Sequence, residues 1–543
     1  MSYTSNRYRL KRTGSVLIVV MLIAGCAAPT ATPTATLPRP TPLPTSTQTP
    51  TPSPAPIPTA PPSTVSSPAV LDACDTDAQA RALRASQLPA WNTLGLNACY
   101  ELTLELRPDA SAYTGTVRVT FTNLAGADLA DVVFRTYPNA SLIYGGSLDI
   151  TSAWIEGRPV APEVLLSDQT AVRLPLPRPL PSGQTILIEL DFEGRVPVDF
   201  GSVNVYGIFN YDTEKQVLAL ANWYPILAVW REGKWDVAPV IGEGDAVVSQ
   251  TALYRVRITA PADWKVIATG SSLDVQRQGE VAQSDFASGP TRDFMLLASP
   301  TFERSETPLE DVRVVHWGLP EGESNWDDAL QVARDSIAVY TDRFGPYPYA
   351  ELDIVAAPLR NAAGVEYPGL ILIETDLYFG AEAQAFLLIT VAHEVAHQWW
   401  YGVVGNDVLR APWQDEALTT YSSALYFEEY APAFYQDLLD SYAQSVAAFQ
   451  QDEGDEPVAQ PLSAFRGRGN AYGAIVYLKG ALFFAELREA LGDATFFTAL
   501  QTYYARNRYA LAPPDALLGA FENSCECELD PLYAEWGVAT PEP

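Results

Sequence analysis

Two of the three histidines in this 543-residue chain fall in one pentapeptide, His393-Glu394-Val395-Ala396-His397. The surrounding run, Phe386 to Trp400, is apolar at ten of its fifteen positions and predicts a buried helix. Residues four apart share a helix face, so both imidazoles can reach one ion. Glu394 lies about 100° round the helix, close enough to touch a water on that ion without ligating it. This constrains the fold: a helix must run through the core with an open space beside its last turn. Two histidines need a third ligand, and a site that keeps one position open is catalytic in type. Glu416, after 18 intervening residues, is the candidate. It sits in Trp413–Tyr421, also helical in pattern, with Leu418, Tyr421, Ser422 and Leu425 on one side. On spacing alone other downstream glutamates compete with it. One Zn2+ per chain is the expected cofactor.

HExxH, 18 residues, then Glu resembles the gluzincin metallopeptidases, and His393-Glu-Val-Ala-His-Gln-Trp-Trp-Tyr-Gly402 is similar to the membrane alanyl aminopeptidase and leukotriene hydrolase family. Ala363-Gly364-Val365-Glu366-Tyr367 stands where that family has GAMEN. Tyr477-Leu-Lys-Gly480 stands where it has YEKG, with Tyr472 five residues earlier. Arg292–Ala298 is similar to the strand closing the family's N-terminal β domain. The resemblance covers roughly residues 98–540. It implies that His393, His397 and Glu416 bind zinc, that Glu394 is the general base, and that Tyr477 stabilises the oxyanion. It also implies that Glu366, Gly364 and Tyr472 contact substrate, with Glu366 binding the N-terminal ammonium. Two departures stand out: Tyr367 replaces the motif asparagine, and the β-domain stretch matching the family's second anchor, Leu218–Pro225, offers no carboxylate. The chain also ends at Pro543, where the family continues into a large helical domain.

From Cys99 to about Val315 the pattern is β. Tyr100–Leu106, Gly115–Asn123, Ile186–Phe192 and Tyr254–Thr259 alternate apolar and polar residues, with turn formers such as Arg107-Pro-Asp109 between them. From Asn325 helices dominate, with strands at Leu352–Ala357 and Gly369–Glu374 and helices at Asp328–Phe344, Ala471–Leu491 and Thr495–Arg506. No internal repeat is evident. The expected architecture is multidomain, β then α+β: an N-terminal antiparallel β domain over 70–315, then a mainly helical zinc peptidase domain over 316–543, thermolysin-like by resemblance.

The N-terminus reads as an export signal. A basic segment, Arg7 to Arg12, precedes a short apolar run, Val16–Gly25, and Ile23-Ala-Gly-Cys26 resembles a bacterial lipobox with Cys26 as the lipidated residue. Residues 1–26 are read as the signal peptide and 27–69 as a Pro/Thr/Ser-rich tether. The expected location is therefore the cell surface or membrane, held by a lipid anchor with the catalytic domain outside the cytoplasm. Thirty-four Lys and Arg against 65 Asp and Glu give a net charge of −31, which argues against nucleic acid as a partner. Beyond Cys26 the cysteines are Cys74, Cys99, Cys525 and Cys527, an even number in an exported chain. Three pairings are possible, and Cys74–Cys99 with a local Cys525–Cys527 bridge is the favoured one.

The chemistry expected is hydrolysis of peptides by a zinc-activated water. Removal of N-terminal residues is the leading reading. Cleavage of internal bonds by an endopeptidase or oligopeptidase of the same fold is the second. A non-catalytic surface lipoprotein binding module is the third, and an intact base at Glu394 has no use in such a module.

Overall fold

The computed structural model describes residues 74–200, 205–245 and 247–538. The signal segment, the tether and Cys26 lie outside the described residues. Among them no helix is long and apolar enough to cross a membrane. Cys74 and Cys99 are bonded, as are Cys525 and Cys527, with Cα separations of 5.9 and 5.1 Å.

The N-terminal half is a layered β domain. Its largest sheet contains β1 (Ala98–Leu106), β2 (Ala112–Thr122), β3 (Ser147–Ile155), β4 (Thr185–Arg195), β5 (Leu253–Pro261), β6 (Ser271–Gln278) and β7 (Val281–Ala287). They run in the order β6-β7-β5-β1-β2-β4-β3, with the short strand Arg158–Pro159 at the edge. Alternation along β1 buries Tyr100, Leu102, Leu104 and Leu106 and leaves Glu101, Thr103 and Glu105 exposed. Two four-stranded sheets share the same apolar cluster: Val132, Phe134 and Leu174 come from one, Leu218, Leu220 and Leu297 from the other. The sheet is mixed rather than antiparallel throughout, because β1 and β5 pair in parallel. That pairing joins strands some 150 residues apart, which local alternation cannot reveal.

The second half opens on a five-stranded sheet, order β8-β9-β10-β12-β11, made of β8 (Glu303–Leu309), β9 (Val312–Gly318), β10 (Glu351–Ala357), β11 (Gly364–Tyr367) and β12 (Leu370–Glu374). The division expected at residue 316 falls inside β9, and the sheet to which β9 belongs begins at Glu303. Its inner strands β10 and β12 are buried on both faces, as a covered sheet requires, whereas the edge strand β8 is polar and exposed. Ile354, Ala356, Ile371 and Ile373 enter the core beneath the helices, whereas Val355, Ala357, Leu370 and Leu372 enter the core of the β domain. One sheet is thus the shared wall of both cores, and it fixes β11 at its edge beside the helices.

The helices that follow and pack around the site include α1 (Trp326–Phe344), α2 (Ala381–Ala396), α3 (Trp413–Tyr430), α4 (Pro432–Glu453), α5 (Gly480–Leu491) and α6 (Asp493–Asn507). α2 ends at Ala396, short of the Trp400 expected from hydrophobicity. His397 caps it with helical torsions, and the chain then turns: Gly402 N–H donates to His397 O and Val403 N–H to Gln398 O. Trp399 and Trp400 continue the apolar run as loop residues, their indole N–H groups bonded to Gly345 O (2.8 Å) and Ser422 Oγ (3.0 Å). Ahead of α5, Gly473–Lys479 is a π-helical segment, not the uniform α-helix that periodicity predicts. Such segments often mark functional sites, and this one carries Tyr477.

Candidate metal centre and substrate cavity

α2 and α3 cross with the last turn of one against the first turn of the other. His393, His397 and Glu416 each offer a ligand atom, and these atoms all lie within 4.8 Å of one another. The two Nε2 atoms are 3.2 Å apart, and each is 3.4 Å from Glu416 Oε2. Glu416 Oε2 is buried without a hydrogen-bond partner. Burial works against its charge, yet the two imidazoles beside it hold the Glu416 carboxyl well below the usual carboxylate range.

The tautomer of His397 follows from its surroundings. Its Nδ1 faces Asp415 Oδ1 (2.8 Å), Trp400 O (3.0 Å) and Thr419 Oγ1 (3.2 Å). Nδ1 therefore carries the proton and donates, and Nε2 presents a lone pair. Two imidazole lone pairs and a partnerless carboxylate oxygen converging in a buried space suit a divalent cation, and the N,N,O donor set suits zinc. A second triad, Glu366, His397 and Asp415, is equally close-set. Asp415 holds the outer nitrogen of His397, the place of an orienting partner to a ligand.

Around this centre lies a cavity of ≈160 Å³. Glu394, Glu366, Gly364, Tyr472 and Tyr477 all line it, so every site residue expected of the folded part comes together. Glu394 is buried, its Oε2 has no partner, and burial pushes its carboxyl up to about 8. His397 opposes that shift, while Glu416 and Asp415 add to it. Gly364 is required here: a Cβ on it would stand 2.4 Å from Glu394 Oε1. Glu366 lies two residues further along β11, paired in register with Ile371, and burial raises its carboxyl well above the usual value. Gln398 ties that strand to the zinc helix, accepting from Gly369 N–H (2.7 Å) and donating to Tyr367 O (3.1 Å). Tyr477 stacks on His393, ring centroids 5.9 Å apart and planes within 14°, with Tyr472 edge-on to it at 5.4 Å. Burial raises the Tyr477 phenol well above 10, so it remains a proton donor.

Several residues here escaped the sequence reading. Asp415 could have been found, since it adjoins Glu416 and ligating histidines commonly take a carboxylate on the outer nitrogen. Asn222, Asp245 and Asp293 come from the β domain and also line the cavity. The stretch Leu218–Pro225 indeed brings no carboxylate, but two separate non-strand segments, at Asp245 and at Asp293, bring two. Asp293 accepts from the Tyr401 hydroxyl, and burial pushes it up to about 6. Beside it Arg292 donates to the carbonyls of Tyr401 (2.6 Å) and Ala510 (2.6 Å), clamping the loop that follows His397. Tyr401 keeps a positive φ of 119° under this clamp, strain held in place by the surrounding bonds.

Comparison with known proteins agrees with this geometry. Residues 328–536 match the model of the Peptidase family M1 domain. The fold is that of two-domain M1 zinc metallopeptidases. An M1 zinc metallopeptidase from Deinococcus radiodurans superimposes with a TM-score of 0.58 at 21% identity, over 82% of this chain and 95% of that one. A mutant of it bound to a Tyr-Ser-Ala substrate gives the same TM-score and coverage. Among curated relatives, Aminopeptidase M1-A of Oryza sativa subsp. japonica is 23% identical over 464 residues, 80% of this chain and 49% of that protein. Aminopeptidase M1 of Arabidopsis thaliana is 23% identical over 449 residues, with the same coverage. The chain thus spans about half the length of the curated relatives it matches.

Proposed function

We propose that this protein is a zinc-dependent aminopeptidase that removes N-terminal residues from peptides. The observation carrying this reading is the placement of two carboxylates, the buried Glu394 on α2 and the half-buried Glu366 on β11, facing one cavity beside the His393, His397 and Glu416 cluster. A zinc ion held by those three residues would supply a water acidic enough to react near neutral pH and a Lewis acid for the scissile carbonyl. Glu394 takes the proton of the attacking water and delivers it to the leaving amine, being buried beside the centre with one carboxylate oxygen free of partners. The Tyr477 phenol donates to the oxyanion that develops at the carbonyl. Glu366 receives the substrate ammonium, whose burial would otherwise cost several kcal/mol, and so sets the scissile bond one residue from the N-terminus. Gly364 leaves the strand edge open for the substrate backbone, and Tyr472 walls the opposite side. The test is the ratio of kcat/KM for a free and an N-acetylated version of one short peptide. A strong preference for the free amine is expected, and a preference for the blocked peptide replaces this reading with an endopeptidase.

The same reading includes an address: an exported lipoprotein, membrane-anchored through acylated Cys26 and standing off on the 27–69 tether. What supports it is the basic, apolar, lipobox order of the first 26 residues. Mass spectrometry of the membrane fraction is expected to find a lipid-modified N-terminal Cys26. A Cys26→Ser chain that still partitions fully with membranes would argue against the anchor.

A further inference from the structure

Five carboxylates line the cavity, Asp245, Asp293, Glu366, Glu394 and Glu416, and among the described lining residues there is no Lys or Arg. Four of them have work to do. Glu416 belongs to the metal centre, Glu394 is the base, Glu366 faces the ammonium, and Asp293 holds the Tyr401 hydroxyl next to Arg292. Asp245 remains. It accepts a hydrogen bond from Val247 N–H at 3.2 Å, and no role in hydrolysis requires it.

The residues just before Asp245 are held against the helical half. Glu243 accepts from Gly467 N–H (2.5 Å), tying the loop to the helical half. Gly244 takes φ +59°, and a Cβ there would stand 2.7 Å from the Tyr472 hydroxyl, so only glycine brings the loop this close. Tyr206 lies against this loop, interacting with the Gly244 backbone and with Asp245, and the cavity they share is also lined by the apolar Ile143, Ile208 and Val247. A carboxylate beyond a hydrophobic wall fits a long side chain with methylenes and a cationic head. One ammonium satisfies Glu366, and a second carboxylate lining a cavity with no Lys or Arg among its described residues calls for a second positive charge.

We propose that Asp245 is the specificity-determining residue that selects a cationic side chain, lysine or arginine, on the first residue of the substrate. This rests on the aminopeptidase reading above. The test compares kcat/KM for N-terminal arginyl and citrullinyl versions of one fluorogenic amide, since citrulline keeps the length and shape of arginine without its charge. The wild type should prefer arginine by on the order of 10–100-fold, the range of one charged hydrogen bond in a desolvated site. Asp245→Asn should bring the ratio to within about threefold of unity, and Asp245→Glu should keep most of it, with circular dichroism and zinc content verifying that both variants fold. A wild-type ratio near or below unity overturns the proposal whatever the variants do. Equal losses on both substrates in Asp245→Asn overturn it as well, because Asp245 would then serve the backbone. Failure of the aminopeptidase reading looks different: neither free-amine substrate is cleaved faster than its N-acetylated form.

Discussion

Replacing Asp415 with asparagine isolates the role of the outer partner. The carboxylate lies 2.8 Å from His397 Nδ1, with Trp400 O at 3.0 Å and Thr419 Oγ1 at 3.2 Å as neutral alternatives. Charged hydrogen bonds are worth about twice neutral ones, so Asp415→Asn should remove about 1.5–2 kcal/mol from the preference of His397 for its ligating tautomer. That corresponds to a loss of about 10–30-fold in zinc affinity, within the range usual for outer partners of metal-bound histidines. Burial pushes the Asp415 carboxyl itself up to about 6, so the charge is costly to hold and the metal-free variant should unfold no earlier than wild type. The assay is chelator competition for the zinc dissociation constant, with melting of the metal-free protein alongside. Unchanged zinc affinity would refute the assignment, and so would a loss wholly accounted for by a lower melting temperature.

Other expectations follow from the same geometry. His393→Ala and His397→Ala should each lose stoichiometric zinc, whereas Glu394→Gln should retain it and lose at least about 10²-fold in kcat; metal content and rate measured together check this. Tyr477→Phe should lower kcat by about 10²–10³-fold with little change in KM, as removal of an oxyanion donor does; steady-state kinetics on one aminoacyl amide are the check. Burial pushes Asp245 up to about 8 from an ordinary value near 4. The folded form therefore binds a proton the unfolded chain has released, and this residue costs stability increasingly as pH rises from about 4 to about 8. Asp245→Asn should accordingly raise the melting temperature more at pH 8 than at pH 5.

Much of the centre was legible because its signals are local. His393, Glu394 and His397 sit within one helical turn, and Glu416 and Tyr477 were placed by motif resemblance. The strands were legible wherever one face is wet, as along β1. What was hidden depends on topology. The parallel β1–β5 pair joins distant strands. The shared sheet begins at Glu303 because β8 pairs with β9, which in turn pairs in parallel with the distant β10. Asp245 lies in Gly242-Glu-Gly-Asp245, a loop without periodicity, and only the packing of that loop on Tyr472 brings it to the cavity. The end of α2 was misjudged because Trp399 and Trp400 are as apolar as helix residues, though their burial comes from the turn that follows.

The central claim is that the cavity reads a free N-terminus through Glu366. The direct measurement is kcat/KM for one short peptide with a free and with an acetylated amine, in wild type and in Glu366→Ala. The account predicts that wild type favours the free amine by at least about 10-fold, the lower end for one charged hydrogen bond, and that Glu366→Ala removes most of that preference by losing rate on the free amine alone. Equal rates on both peptides in wild type, or a preference that survives in Glu366→Ala, would contradict it.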